Sequence, residues 1–124
     1  MSNRYAVSGA VAAALDGTTT LTGEPLIGRE LTTGRVLWLR SAWFHSASTT
    51  SGEVPLALID ATAGVAATGT TRRFNVICAT GRTTQVDFPA PGLKFSTGCC
   101  VLKEATTVSS AFAGGSCGGC GYEE

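Results

Sequence analysis

The sequence predicts an all-β fold, either an antiparallel β-sandwich or a jelly-roll-like barrel, with an irregular N-terminal arm. Short apolar or alternating stretches recur about every ten residues, separated by segments rich in Gly, Pro and Ser. After residue 16, no stretch shows the apolar spacing of a helix of several turns. Threonine, whose branched polar side chain suits the outward face of a sheet, occurs 18 times. Regularly spaced short strands without helices are typical of antiparallel two-layer folds.

The length of 124 residues is that of one domain with a sizeable core. Composition changes twice along the chain, so we divide it into three parts. Residues 1–34 are predicted to be an N-terminal arm and connector, and residues 35–113 the β-sandwich domain. Residues 114–124 are predicted to be a C-terminal tail rich in Gly and Cys.

The N-terminal part shows no sustained apolar period. Residues 4–15 can form either a short helix or an extended arm, which Asp16-Gly17 ends. Residues 18–34 are a connector rich in Thr and Gly. Such a connector is long for a compact domain, which suggests that it contacts something else.

Four stretches are predicted to be single strands: residues 35–47, 54–61, 72–80 and 106–113. The first gives the strongest signal. Residues 36–39 are all apolar, which predicts that both faces of this strand are covered. In the third strand, Phe74, Val76 and Cys78 share one face.

Residues 83–102 are predicted to be a hairpin of two half-buried strands. Before the break, Val86 and Phe88 lie on one face, and the polar residues between them on the other. After it, Leu93 and Phe95 again alternate with polar residues. The break is Pro-Ala-Pro-Gly at residues 89–92, which is typical of a tight connection.

Charge narrows the classes of partner. Nine basic and nine acidic residues give a net charge near zero, which argues against nucleic acid and against an anionic membrane surface. No apolar run approaches the roughly 20 residues that span a bilayer. Only 15% of residues are charged, below the usual quarter or so. We therefore expect a surface that is covered by a partner, such as another protein or a further copy of this chain, or that is only weakly polar.

The five cysteines leave three interpretations open: a metal site, a disulfide and reduced thiols. Cys117-Gly-Gly-Cys120 has the spacing of a metal knuckle, for which zinc or an iron–sulfur cluster would be the cofactor. Cys99 and Cys100 are adjacent, so in a strand their side chains leave opposite faces and supply one ligand easily, not two. A four-sulfur site would then need a local bulge or a donor from another subunit.

The second interpretation is a disulfide from Cys99 or Cys100 to Cys117 or Cys120. On the chain-entropy account, such a bond would stabilise the fold by roughly 3 kcal/mol. In the third interpretation the cysteines are reduced thiols. Under each of them, Cys78 is predicted to be a small buried hydrophobe.

We find no catalytic constellation in the sequence and expect a protein that is not an enzyme. His45 is the only histidine, which removes most acid–base mechanisms. A Ser-His-Asp triad could be assembled on paper from a serine, His45 and either Asp60 or Asp87, but no nucleophile elbow supports it. An aromatic group, Trp38, Trp43 and Phe44, could form a sugar-stacking face, but its place in the most apolar strand favours the core.

Residues 34–107 resemble small β-sandwich virion structural proteins of tailed bacteriophages. The similar stretches are VLWLRSAWFHSAS, VPLALIDAT and, above all, VDFPAPGLKFSTGCCV. The resemblance implies a virion component, either a capsid decoration (cement) protein or a tail- or neck-associated protein, while a Cys-ligated metal or cluster in the latter rests on the cysteines alone. It implies the major capsid protein or other virion proteins as partners, and a homo-oligomer, with a trimer suited to a threefold site. A glycan-binding β-sandwich module is the other alternative.

A cement protein binds across neighbouring capsid subunits, and its affinity depends on buried area and shape. We expect the N-terminal arm and connector to lie over adjacent subunits. The candidate contact residues are Arg4, Tyr5, Leu21, Leu26 and Ile27. On this hypothesis, deleting residues 1–30 abolishes incorporation into particles but leaves a folded domain.

Overall fold

The computed structural model describes residues 4–7, 24–26, 31–46, 53–62, 70–79, 81–103 and 116–124, and every regular element in these ranges is a β-strand. The nine strands are β1 (Arg4–Val7), β2 (Glu24–Pro25), β3 (Leu37–His45), β4 (Glu53–Ile59), β5 (Arg72–Ala79), β6 (Thr83–Asp87), β7 (Leu93–Phe95), β8 (Cys100–Lys103) and β9 (Ser116–Glu123). The described ranges contain no helix long and apolar enough to cross a membrane.

The strands form two antiparallel sheets. The first has the order β1-β9-β3-β6, with β7 also paired to β3, and the second has the order β2-β8-β4-β5. The all-β prediction is therefore confirmed. The strands predicted at residues 35–47, 54–61 and 72–80 are β3, β4 and β5. The strand predicted at residues 106–113 lies outside the described residues.

The strand pairs are nested along the chain in the manner of a jelly roll. β1 pairs with β9, β2 with β8, β3 with β6 and β7, and β4 with β5. A chain that pairs its first strand with its last, and so on inward, is one long hairpin. Rolled into two facing sheets, it is a jelly roll, here of eight strands when β6 and β7 count as one.

The hairpin predicted at residues 83–102 is wrong. β6 pairs antiparallel with residues 41–45 of β3, and β7 pairs antiparallel with residues 37–39 of the same strand. The two segments therefore run in the same direction, in line, as one interrupted strand. The connection bulges out between them, held where the Phe88 N–H donates to the Arg40 carbonyl at 2.8 Å. Alternation predicted the faces correctly but does not encode which strand a segment pairs with.

The core lies between the two sheets. The first sheet contributes Leu37, Leu39, Ala42, Phe44, Phe95 and Cys117, and the second contributes Leu56, Leu58, Val76, Cys78 and Val101. Cys78 is fully buried among them, as predicted. At the sandwich edge, the rings of Phe74 and Phe88 meet edge-to-face with centroids 5.1 Å apart, which joins β5 to the end of β6.

Strands β4 and β8 of the second sheet carry buried apolar residues on both faces. Leu56 and Leu58 face the main core, whereas Ala57 and Ile59, which alternate with them, belong to a second buried cluster. Cys100 and Leu102 of β8 complete that cluster with Ala61.

A β-bulge changes the phase of β3. Leu37 and Leu39 face the core before it, and Ala42 and Phe44 face the core after it. Arg40 is the extra residue, because Leu39 is paired with Gly121 and Ser41 with the adjacent Cys120. The prediction that both faces of this strand are covered is wrong, since its outward-facing side chains are only half-buried.

The segment predicted to be a C-terminal tail is strand β9, which lies between β1 and β3 in the first sheet. Its glycines are the physical reason. A Cβ atom on Gly121 would overlap the carbonyl oxygen of Trp38, so only glycine lets the two backbones approach this closely. Low strand propensity and absent side chains conceal such a strand from pattern analysis.

The N-terminal part is built into the sandwich where it is described. Residues 4–7 pair with β9, and residues 24–25 pair with β8. Leu26 follows directly and is fully buried in the core. Deleting residues 1–30 would remove two strands and a core side chain, so we now expect the truncated chain to lose its stable fold. The rest of residues 4–15 lies outside the described residues.

Candidate functional site

The outer face of the first sheet carries the most distinctive group of side chains in the described part of the chain. Trp38 of β3 is directly opposite Tyr122 of β9 on one side and Lys94 of β7 on the other. Residues opposite each other in an antiparallel pair are close enough for their side chains to interact. The three side chains therefore form a row across the sheet.

A groove of about 270 Å³ opens beside this row. Its lining residues are Trp38, Arg40, Pro91, Tyr122 and Glu124. Tyr122 is 41% exposed and is one of two large hydrophobic side chains described as exposed. A concave site that combines aromatic rings with a few polar groups is typical of ligand binding.

The polar groups of the groove are held in place. The indole Nε1–H of Trp38 donates a hydrogen bond to Oε1 of Glu124. Arg40 donates through Nε to the carbonyl oxygen of Phe88 at 3.3 Å. Lys94 places its ammonium nitrogen 5.8 Å from the centre of the Trp38 ring, within the range of a cation–π interaction. The groove therefore has little side-chain ordering left to do on binding.

Two local features of the sequence build this groove. The bulge places Arg40 and Ser41 consecutively outside the core, and the interruption between β6 and β7 places Pro91 beside Arg40. Gly92 has a φ of 118°, and a Cβ atom there would lie 2.6 Å from the carbonyl oxygen of Leu39. Glycine is therefore required where the corner meets β3.

Backbone pairing just after β9 fixes the position of Glu124, which lines the groove. Val36 and Glu124 exchange both backbone hydrogen bonds, at 2.9 and 3.1 Å. Glu124 is thereby diagonal to Trp38 on the outer face, the position from which its carboxylate reaches the indole.

The four cysteines that were candidate ligands do not come together at one site. Cys99 and Cys117 belong to the core cluster, while Cys100 lies in the second cluster on the other face of the second sheet. Cys120 is half-buried, with its sulfur 3.0 Å from the hydroxyl of Ser41. All five cysteines are thiols in this structure. Among the described residues, no three His, Cys, Asp or Glu side chains are grouped so that they could hold a metal ion.

Burial controls the chemistry of two of these thiols. Burial raises the pKa of Cys99 well above its ordinary value of 9.0, and the charges of Cys100 and Asp60 raise it further. Burial also raises the pKa of Cys78 above 9.0. Both are therefore protonated and unreactive at neutral pH.

The predicted partner-binding residues fall into three groups. Leu26 is wrong as a surface contact, because it is fully buried in the core. Arg4 and Tyr5 are placed by their backbone on β1, opposite Glu123 and Tyr122 of β9. Leu21 and Ile27 lie outside the described residues.

The groups considered for acid–base chemistry have structural roles. The His45 ring nitrogen Nδ1 is 2.9 Å from the hydroxyl of Thr83, which joins β3 to β6. Asp60 accepts three backbone hydrogen bonds from residues 96–98. Asp87 accepts a hydrogen bond from the side chain of Gln85 at 3.2 Å.

The aromatic group of the sequence divides between the two faces of β3. Phe44 is fully buried in the core, whereas Trp38 and Trp43 are half-buried on the outward face. The core interpretation is thus right for one of the three side chains only.

Sequence reasoning missed most of the groove: Arg40, Pro91, Tyr122 and Glu124. Two of them lie in the segment predicted to be a tail, and one lies in the connection predicted to be a turn. The bulge at Arg40 leaves no clear signal in the sequence, because residues 36–39 are all apolar and show no alternation whose phase could be seen to change. The only available signal was the lone Tyr122 among glycines.

Comparison with protein-family models, with curated proteins and with solved structures finds no match to this chain.

Proposed function

We propose that this chain is a non-enzymatic virion structural protein, a capsid decoration (cement) protein that binds across neighbouring capsid subunits and stabilises the shell. The observation that carries the proposal is the nested strand pairing of the jelly roll. Jelly rolls recur in viral capsid proteins and in lectin domains, so the fold agrees with the class that the sequence resembles.

Two further observations support a role in assembly. The net charge is near zero, with nine basic and nine acidic residues, which suits burial of surface against another protein better than attraction to a charged polymer. His45 and Asp60 each form hydrogen bonds that join separate segments of the fold, which is a structural use of groups that acid–base catalysis would need.

The proposed mechanism is shape-complementary burial by a rigid body. Protein interfaces of ordinary stability bury about 1,200–2,000 Å² in total, and a compact sandwich offers that area on several sides. The first and last described strands, β1 and β9, are paired in one sheet and so belong to this rigid body. Stabilisation of the shell follows by mass action, because the bound protein favours the assembled state.

Co-sedimentation with shells tests the proposal. Shells are assembled from the major capsid protein of the same genome, without this chain, and mixed with the purified full-length protein before a density gradient. We expect saturable binding with a fixed number of copies per capsid subunit, and shells that withstand higher temperature. Shells already carrying the protein serve as the matched control and should bind no more.

Two results would overturn the proposal. One is failure to bind shells together with absence of the chain from purified particles by mass spectrometry. The other is recovery of the chain only in separated tails or necks, which would assign it to the alternative class of tail- or neck-associated virion proteins.

A further inference from the structure

We propose that the groove of Trp38, Pro91 and Tyr122 binds a single pyranose ring of a surface glycan. The proposal concerns a ligand site on the outer face of the first sheet and does not depend on the assembly role, so either can fail alone.

The aromatic rings provide the apolar part of the site. Trp38 and Tyr122 are opposite each other in the β3–β9 register, and Pro91 adds a third ring to the same groove. Large rings left accessible on one sheet face combine an apolar surface with a polar tip, which suits a ligand that is itself apolar on one side. A pyranose presents a face of C–H groups and a rim of hydroxyls.

The polar groups match that rim. Arg40 is anchored through Nε to the Phe88 carbonyl, so its terminal nitrogens are the donors that remain for a ligand. Glu124 is anchored through Oε1 to Trp38, so its second carboxylate oxygen is the acceptor of the pair. A planar donor group and a planar acceptor group at fixed positions can bind neighbouring hydroxyls, each of which donates and accepts.

Size and charge narrow the ligand. A groove of about 270 Å³ lies just below the range of roughly 300–1,000 Å³ typical of drug-sized ligands, so it accommodates one ring instead of an extended chain. Arg40 and Lys94 supply two positive charges near the groove against the one negative charge of Glu124. The site therefore favours neutral or acidic sugars over cationic amino sugars.

A proline-rich peptide is the competing ligand for an aromatic groove. Such peptides dock over several residues and need hydrogen-bond donors for their carbonyl groups. Here the indole N–H of Trp38 is already donated to Glu124, so of Trp38 and Arg40 only the Arg40 guanidinium can still donate to a carbonyl group. Stacking of a sugar uses the ring face of Trp38 and leaves its bond to Glu124 intact. The observations therefore favour the sugar.

The test starts with the full-length protein on an array of neutral and acidic glycans. Binding is then measured by titration with methyl glycosides of glucose, galactose, N-acetylglucosamine and glucuronic acid. Trp38 and Trp43 are the only two tryptophans, so Trp43→Phe leaves Trp38 as the sole indole reporter. We expect a saturable change in its fluorescence, with a Kd on the order of 1 mM for a single ring.

Trp38→Ala and Trp43→Ala form the matched pair, because both indoles are half-buried on the outer face and only the first lines the groove. We expect Trp38→Ala to weaken binding by about tenfold or more, and Trp43→Ala to leave it within about twofold. Tyr122→Phe keeps the ring and should bind nearly as the parent does. If Trp38→Ala does not fold, the fluorescence titration of Trp43→Phe decides alone.

Absence of any glycan hit would overturn the proposal, as would sugar binding that leaves Trp38 fluorescence unchanged. Binding that survives Trp38→Ala and is lost in Trp43→Ala would place the site elsewhere on the sheet. Saturable binding of a proline-rich peptide panel at Trp38, without sugar binding, would assign the groove to peptides and equally overturn the proposal.

Discussion

Asp60 accepts the backbone N–H of Thr97 at 2.7 Å through the single carboxylate oxygen Oδ1. The amides on either side, of Ser96 and Gly98, donate to the same oxygen at 3.0 and 3.1 Å. Asp60 directly follows β4, whereas residues 96–98 connect β7 of the first sheet to β8 of the second. One side chain thus fixes the point at which the chain crosses between the sheets.

Removing this acceptor should destabilise the fold strongly. We expect Asp60→Ala to lower the free energy of unfolding by about 2–4 kcal/mol, because hydrogen bonds to a charged group are strong and three donors lose their partner. Asp60→Asn keeps an oxygen at the same position and should cost about half as much. Urea unfolding measures both, with the exposed neighbour change Thr62→Ala as a control near zero. A loss below about 0.5 kcal/mol for Asp60→Ala would show that this contact does not hold the crossover.

The glycines of β9 should differ sharply in their tolerance of a methyl group. A Cβ atom on Gly121 would overlap the Trp38 carbonyl oxygen, and main-chain atoms cannot move aside without distorting β3. On Gly119 it would meet the side-chain tips of Leu39 and Leu26 at 3.0 and 3.1 Å, beside the Ser41 carbonyl oxygen at 3.1 Å. We expect Gly121→Ala to destabilise by about 3 kcal/mol and Gly119→Ala by about 1 kcal/mol. Equal effects in thermal or urea unfolding would contradict the close approach of β9 to β3.

These glycines also explain why strand β9 could not be predicted from the sequence. Apolar runs located β3 and β4. Alternation located β5 and the facing of β6 and β7, because side chains on a half-buried strand carry a period of two. β9 reads SCGGCGYE, in which half of the positions have no side chain or almost none to reveal a period. Its strand character comes from backbone contact with its neighbours, which only the folded chain contains.

The pairing partners of β6 and β7 were the second feature that could not be predicted from the sequence. Residues 83–95 have the alternation of two strands, but local sequence does not distinguish a hairpin from two segments lying along one partner. The bulge at Arg40 and the corner ending at Gly92 decide between them, through contacts with residues about fifty positions away. The groove depends on both features, so it could not be predicted either.

Deletion of residues 1–30 should abolish stable folding. It removes both partners of the outer strand pairs, β1 on β9 and β2 on β8, and it removes the buried side chain of Leu26. The single change Leu26→Ala gives a graded comparison, expected to cost about 2–5 kcal/mol. Circular dichroism and thermal unfolding report both variants. A truncated chain that unfolds cooperatively at the temperature of the full chain would show that these strands are dispensable.

Alkaline pH should weaken the fold through the buried thiols. Burial raises the pKa of Cys99 and of Cys78 above the ordinary value of 9.0, so the folded state keeps protons that the unfolded state releases. Stability is then fully present below about pH 9 and falls as the pH rises above it, because the unfolded state binds fewer protons there. The free energy of unfolding, measured in a reducing buffer between about pH 7 and pH 10.5, should show this fall.

Replacement of Cys99, the thiol whose pKa is raised more strongly, isolates its contribution to this pH dependence. Cys99→Ala should be less stable than the parent at neutral pH but should lose less stability on going to alkaline pH. The two chains are compared by the slope of stability against pH, since the offset reflects the lost packing of the sulfur. An identical slope in the two chains would mean that the pKa of Cys99 is not raised in the folded state.

The position of β9 underlies the jelly roll, the groove and the tolerance of its glycines alike. Amide hydrogen exchange of peptides covering residues 116–124, read by mass spectrometry beside peptides of β3, tests it most directly. Because β9 lies between β1 and β3, its amides should be protected as strongly as those of β3. Exchange within seconds at residues 116–124, while β3 stays protected, would show that this segment is a free tail and would contradict the fold described for it.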